Sequence, residues 1–366
     1  MELSRILEDI ETLVTFESPS SDLDAVAASA ELVARLGTAR LGAEPERIVL
    51  EGRTHLRWRL GSGPRRVLVL GHHDTVWPLG SLAKHPFEVT DGVLRGPGCF
   101  DMKTGLVMGF HTIAGLSDVD GVTMLVTGDE ELGSPSSREL IEDEARGCVA
   151  ALVLEASADG GALKTARKGV SRYQVTAHGR AAHAGLEPEK GVNATIELAH
   201  QIPIVAALAD PGQGTTVTPT RLVSGTTTNT VPAEGGFAVD VRVRTSAEQE
   251  RVDKAIRALT PVLPGARLTV DGGPNRPPLE ESSSAALFER AQRIAAELGL
   301  PPLTKAAVGG ASDGNFTAGI GVPTLDGLGA VGGGAHADDE HVIVGELPAR
   351  TALLAALLAD LLKQRP

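Results

Sequence analysis

Three short apolar runs punctuate the first half of the chain: VLVLG (67–71), VTMLVTG (122–128) and ALVLEA (151–156). Each is continuous rather than alternating, and each gives way to polar residues. Continuous runs of this length suit strands buried on both faces, as in a parallel sheet. The segments between them, 102–116 and 134–146, carry apolar residues at helical spacing. Pro135 falls near the start of the second, where a missing N–H costs little. The opening stretch, MELSRILEDIETLVTF, has helical spacing too. Strands alternating with helices predict an open α/β sheet, mostly parallel, with helices on both faces. Ligands of such sheets gather at the carboxyl ends of the strands.

The pattern changes in the middle of the chain. GVSRYQVTAHG (169–179) reads as a strand and 190–208 as a helix; TTVTPTRLVSG (215–225) and GFAVDVRVRT (236–245) read as strands; a helix at 246–260 and a short strand at 266–270 follow. That order is β-α-β-β-α-β, the ferredoxin-like split unit. Phe237, Val239, Val241 and Val243 alternate with Ala238, Asp240, Arg242 and Arg244, one face buried and one polar. The Gly-, Pro- and Ser-rich stretch DGGPNRPPLEESSS (271–284) reads as a linker. After it the helix–strand alternation resumes and ends in an apolar helix at 347–363. The expected division is therefore a larger domain of 1–168 and 279–366, interrupted by a smaller one of 169–278.

Composition narrows the classes of function. The 366 residues are 42% apolar and 22% charged, which argues for a folded globular chain. A net charge of -13 with few aromatic residues disfavours nucleic acid and anionic membrane as partners. No apolar run is long enough to span a bilayer, and the N-terminus lacks the basic start and apolar block of a signal peptide. Two cysteines, Cys99 and Cys148, make no disulfide framework and fit a reducing cytoplasm.

Chemistry-bearing side chains sit just past the apolar runs. His72 follows the first directly, Glu130 and Glu131 follow the second, and Glu155 ends the third. Asp101 follows a Gly-Pro-Gly turn and precedes a helical stretch. His336 lies in the Gly-rich GGGAHADDEHV, with Asp338, Asp339, Glu340 and His341 beside it. Carboxylates and imidazoles are the ligands of hard and borderline cations, and a pair of cations can activate water. Each residue also has a plainer reading. His72 could be a loop-end imidazole, Asp101 a helix N-cap, and Glu130–Glu131 a solvated acidic turn. His336 alone could be a surface residue. Glu155 is harder to dismiss, because a carboxylate at a buried strand end needs a cation or several donors. A metal-bound imidazole usually donates its second N–H to an acceptor, and Asp74 is one candidate. His73 reads as a packing or hydrogen-bonding residue. Which of Glu130 and Glu131 binds and which acts as base is left open by the residues themselves. Six such positions in this order form a set pointing to a two-metal hydrolase.

The chain resembles the two-zinc metallopeptidases that include glutamate carboxypeptidase, aminoacylase, acetylornithine deacetylase and succinyl-diaminopimelate desuccinylase. The resemblance rests on GHHDTV (71–76), GPGCFDMKTG (96–105), TGDEELGS (127–134), LEAS (154–157), RAAHAG (180–185), NTVPAEGGFAVDVRVR (229–244), GGASDGNF (309–316) and GAHADDEHV (334–342). It implies His72, Asp101, Glu131, Glu155 and His336 as ligands of two Zn2+ per subunit, with Co2+ or Mn2+ as alternatives. Asp101 would bridge, His72 and Glu155 would complete one site, and Glu131 and His336 the other. Glu130 would be the general base and Asp74 the partner of His72. A cis peptide at Asp101–Met102 is implied as well.

By the same resemblance the inserted domain acts as lid and dimerisation domain of a homodimer. His183 would stabilise the oxyanion, Arg242 and Asn229 would hold the substrate carboxylate, and Gly309 and Gly310 would add backbone N–H groups. A guanidinium suits a carboxylate through two parallel hydrogen bonds, although Arg242 could equally pair with Asp240 on its own strand face, and His183 could be a solvent-exposed loop imidazole. Three positions depart from the family pattern: His73, Ala182 before His183, and the very glycine-rich final loop. The implied activity is hydrolysis of an amide bond with release of a free amino acid, glutamate being the candidate, from a small N-acyl or peptidyl substrate. Simple N-acyl amino acid deacylation is the near rival. A non-catalytic zinc-binding relative and a di-metal phosphatase are the more distant ones.

Overall fold

The computed structural model describes residues 2–363. The chain divides into two compact units, one of residues 1–167 and 279–366 and one of residues 168–278. The first is a mixed α/β fold around a largely parallel sheet. Its six strands lie in the order Glu46–Leu50, Arg53–Arg59, Val122–Thr127, Val67–His72, Ala150–Val153 and Thr324–Leu325. The last four run parallel to one another, and Arg53–Arg59 runs antiparallel to its neighbours on either side.

The three apolar runs are continuous because each central strand faces two cores. Val67, Val69, Met124, Val126 and Leu152 point into one. That core is closed by the helices Leu3–Val14, Leu23–Leu41, Thr104–Ala114, Glu281–Glu297 and Leu347–Leu362. Leu68, Leu70, Leu125 and Ala151 point the other way, against the helices Arg138–Ala145 and Gly314–Gly319. Successive strand residues alternate between faces, so covering both faces makes every position apolar. In the larger core Trp58 and Phe110 meet edge to face, with centroids 5.3 Å apart.

Boundaries differ from the sequence expectation in instructive ways. The strand Ala150–Val153 stops short of Glu155, which therefore stands beyond the strand end. The second helix starts at Arg138, so Pro135 precedes it rather than occupying its first turn. The stretch 271–284 is largely not a linker: the strand Arg267–Arg276 runs through its glycines, and the helix Glu281–Glu297 takes in all its serines.

The unit of residues 168–278 is a four-stranded antiparallel sheet, ordered Thr216–Ser224, Glu234–Val243, Gly169–His178 and Arg267–Arg276. With the helices Ala194–Ala206 and Ser246–Arg257 the chain order is β-α-β-β-α-β. Phe237, Val239, Val241 and Val243 fill its own core. Among the described residues, no helix is long and apolar enough to cross a membrane.

Candidate metal centre

The candidate ligands converge at the carboxyl end of the parallel sheet. His72 is the last residue of Val67–His72; Glu130 and Glu131 form a helical turn after Val122–Thr127; Glu155 follows Ala150–Val153. Asp101 lies in the irregular turn Cys99–Lys103, just ahead of the helix Thr104–Ala114, and the Asp101–Met102 peptide is cis. His336 comes from the glycine-rich loop, where its own φ is +62°. A left-handed backbone is costly for a residue with a Cβ and persists where the surroundings fix it.

Asp101 stands between the two imidazoles. Its Oδ1 is 3.4 Å from Nε2 of His72, and its Oδ2 is 3.2 Å from Nε2 of His336. Glu155 Oε1 lies 3.5 Å from the same His72 nitrogen, and Glu131 Oε2 lies 3.1 Å from the His336 nitrogen. Two donor sets therefore share one carboxylate. Glu130 belongs to the same cluster: donor atoms of His72, Glu130 and Glu155 lie within 4.8 Å of one another, as do those of His72, Asp101 and Glu131.

Electrostatics mark the cluster as anionic and under-satisfied. Burial works against protonation of His72, but Asp101, Asp74 and Glu155 together raise its pKa well above the ordinary value. Asp101 and Glu131 lift His336 to about 10. Burial opposes ionisation of Asp101, yet the two imidazoles hold its carboxyl well below the usual range. Burial raises Glu131. Two atoms at the centre, Nε2 of His72 and Oε1 of Glu131, are buried with no hydrogen-bond partner. Buried polar atoms ordinarily find partners, and cations placed among these donors satisfy both atoms and offset the surplus carboxylate charge. The residues fit divalent cations.

A supporting layer fixes the donors. His72 Nδ1 lies 2.9 Å from the Asp74 carbonyl oxygen and 3.4 Å from its Oδ1. The Asp74 carboxylate accepts from Ser20 Oγ at 2.7 Å and from the backbone N–H groups of Glu130 and Glu131 at 3.2 and 3.3 Å. Glu340 was not singled out by sequence, yet it clamps the Asp101 turn. It accepts from the N–H groups of Gly98, Phe100 and Asp101 at 2.9, 2.9 and 3.0 Å, and from Trp77 Nε1 at 2.7 Å. Arg167 was also missed; its guanidinium lies 3.7 Å from Glu155 and pairs with Asp326 at 2.7 Å. A lone Glu or Arg in a sequence carries no sign of such distant partners. The nearest signal was the acidic cluster around His336.

The remaining site candidates lie on other elements. His73 is buried and turned to Ser29 Oγ and the Thr54 carbonyl, at 3.1 and 3.0 Å, and burial lowers its pKa to about 4. Gly309 and Gly310 follow the strand Lys305–Val308 in the α/β unit; their N–H groups make no hydrogen bond among the described residues. His183, Asn229 and Arg242 belong to the 168–278 unit. His183 is exposed and pairs across a two-residue ladder with Thr230, next to Asn229, whose carbonyl accepts from Ala184 N–H at 2.9 Å. Arg242 is engaged by its strand neighbour Asp240, through Nε at 2.8 Å and Nη2 at 3.0 Å.

A carboxylate–imidazole cluster at the carboxyl edge of an α/β sheet has the donors of a metal-dependent hydrolase. The family is specific: the chain belongs to Peptidase family M20/M25/M40, whose pattern matches residues 68–360. It is 31% identical over 290 residues to "Carboxypeptidase G2" of Pseudomonas sp. (strain RS-16), covering 76% of this chain and 70% of that protein. It is 28% identical over 297 residues to "Succinyl-diaminopimelate desuccinylase" of Methylorubrum populi, covering 74% of this chain and 75% of that protein. A tripeptidase from Staphylococcus aureus shares the fold, with a TM-score of 0.74 at 21% identity over the full length of both chains.

Proposed function

We propose that this chain hydrolyses an amide bond to release a free amino acid, glutamate first among candidates, from an N-acyl or peptidyl substrate. The observation that carries the reading is the shared carboxylate: Asp101 reaches His72 with one oxygen, at 3.4 Å, and His336 with the other, at 3.2 Å. His72, Asp101 and Glu155 would hold one cation, and Asp101, Glu131 and His336 the second, zinc being the metal favoured by this mix of nitrogen and oxygen donors. Bound there, the pair supplies Lewis acidity that eases ionisation of a water and polarises the scissile carbonyl.

Glu130 is the general base. It takes a proton from water and later delivers it to the leaving amine. Asp74 positions it, by accepting its backbone N–H at 3.2 Å while also facing His72. His183 stabilises the oxyanion. Arg242, Asn229 and the N–H groups of Gly309 and Gly310 hold the substrate carboxylate. Asp240 occupies Nε and Nη2 of Arg242, so Nη1 remains for that contact. The same reading carries a homodimer formed through the 168–278 unit, which also acts as lid. It also carries a cytoplasmic location, which the two free, buried cysteines fit. Glutamate release draws support from the likeness to carboxypeptidase G2. The second reading, deacylation of N-acyl amino acids, draws its own from the likeness to the desuccinylase.

The test is amine release from N-acyl amino acids and C-terminal-glutamate peptides by chelated and zinc-restored protein, with Glu130→Gln alongside. A general base contributes about 10²–10⁴-fold, so Glu130→Gln keeps both cations and loses turnover by that factor. Retained turnover, or loss of a cation with the substitution, overturns the assignment. The latter would make Glu130 a ligand together with His72 and Glu155.

A further inference from the structure

We infer that Lys164 and the cleft it lines bind a second carboxylate on the substrate, beyond the one at the released amino acid's α-carbon. The inference rests on the hydrolase reading and names the chemistry that reading leaves open.

A cleft of about 690 Å³ runs along the parallel pair Leu163–Arg167 and Lys305–Val308, lined among others by Asp159, Lys164, Arg167, Lys305 and Gly310. It adjoins the metal centre, because Arg167 lies 3.7 Å from Glu155 and donates to the Gly310 carbonyl at 3.1 Å. The three cations on its walls differ in how they are committed. Arg167 is tied to Asp326, and Lys305 is paired with Glu281. Lys164 is half-buried, and its ammonium makes no hydrogen bond or ion pair among the described residues. Asp159, the one carboxylate on the lining, forms no ion pair with it.

Its backbone is fixed, with its N–H donating to the Asp326 carbonyl at 2.9 Å. Burial, and then the charge of Arg167, holds the Lys164 pKa below the ordinary lysine value. A partly desolvated cation with no partner, on a rigid strand beside the reacting centre, gains most from an incoming anion. Such a carboxylate has two sources, an acidic side chain on the released amino acid or a dicarboxylic acyl group.

Three substrates separate the sources: N-acetylglutamate, N-acetylmethionine and N-succinylmethionine, each with zinc-loaded wild type, Lys164→Met and Lys164→Arg. Wild type should favour a dicarboxylate over N-acetylmethionine in kcat/KM. Lys164→Met should reduce that ratio by about 10- to 100-fold, the value of one charge-assisted hydrogen bond, chiefly through KM, and Lys164→Arg should restore much of it. Loss on N-acetylglutamate places the carboxylate on the side chain; loss on N-succinylmethionine places it on the acyl group. An unchanged ratio for both overturns the inference while leaving the hydrolase reading intact. If wild type turns over none of the three, the hydrolase reading fails first. Calorimetric titration of glutarate into the same proteins then decides the subsite: binding weakened by Lys164→Met supports it, and absent or unaffected binding overturns it.

Discussion

Replacing Glu340 with alanine should damage the metal centre without touching a ligand. The side chain is 4% exposed and accepts from three backbone N–H groups and one indole N–H. A hydrogen bond to a charged group contributes about 1.5–3 kcal/mol, and a buried donor left unpaired costs about 1–3 kcal/mol. Four such donors do not add fully, because water enters the space left by the carboxylate. A total near 3–5 kcal/mol follows, similar to breaking a buried ion pair. One of the four is the N–H of Asp101 itself, at 3.0 Å, so its carboxylate loses its fixed orientation. Partners that orient metal ligands typically contribute 10- to 100-fold in affinity. Urea unfolding of the metal-free protein reads the first effect, and competition with a chromophoric zinc chelator reads the second. Glu340→Gln should fall between, since an amide offers one acceptor oxygen and turns an NH2 toward the remaining donors. A Glu340→Ala protein within about 1 kcal/mol of wild type, a small change for a buried side chain, and with unchanged zinc affinity would refute the reasoning.

Asp101→Asn should lose both cations, as counted by native mass spectrometry, whereas Glu155→Gln should lose one; two retained cations in Asp101→Asn would show that the carboxylate does not bridge. Gly105→Ala should destabilise by about 1–3 kcal/mol and weaken zinc binding, because its Cβ would lie 2.1 Å from the Leu154 carbonyl oxygen. Thermal melts and zinc titration together check it. Glu144 is held by Arg57 at 2.7 Å and Arg59 at 2.6 Å. Burial opposes its ionisation, but Arg59 and Arg57 hold its pKa below the ordinary value. A lowered carboxylate pKa contributes stability above the unfolded-state value and loses it as pH falls through the folded one. The stability gap between wild type and Glu144→Gln should thus be full above about pH 5 and shrink below about pH 4. A pH-independent gap in urea melts would contradict the ion-pair account.

The parallel sheet was legible because burial on both faces writes itself as unbroken apolar runs. The candidate donors His72, Glu130, Glu131 and Glu155 were legible because they follow strand ends, whereas Asp101, in a turn, and His336, in a loop, stood out mainly through the family resemblance. Features set by distant contacts were not. Glu340 reads as one of several acids near His336, and its role exists only because the chain returns it to residues 98–101. Arg242 carried two readings, and the structure pairs it with Asp240. The stretch 271–276 looked like a linker because Gly272, Gly273 and Pro274 are poor strand formers. Yet Arg267–Arg276 is an edge strand, paired on one side with Gly169–His178. An edge tolerates Pro and Gly that a central strand would not, and the irregular pairing between Pro274 and Arg276 absorbs the misfit.

The division of the chain has a consequence for how the protein is made. His72, Asp101, Glu130, Glu131 and Glu155 precede the 168–278 unit, and His336 follows it. So do the edge strand Thr324–Leu325 and the helix Leu347–Leu362 that finish the sheet and its core. On the ribosome, the candidate donors around His72 emerge before the 168–278 unit, and His336 emerges after it. The intervening unit has its own sheet and core, and the entropy of closing a loop grows only with the logarithm of its length. The inserted unit can therefore form while the flanks wait, and His336 can join the candidate donors that precede that unit only after it has emerged.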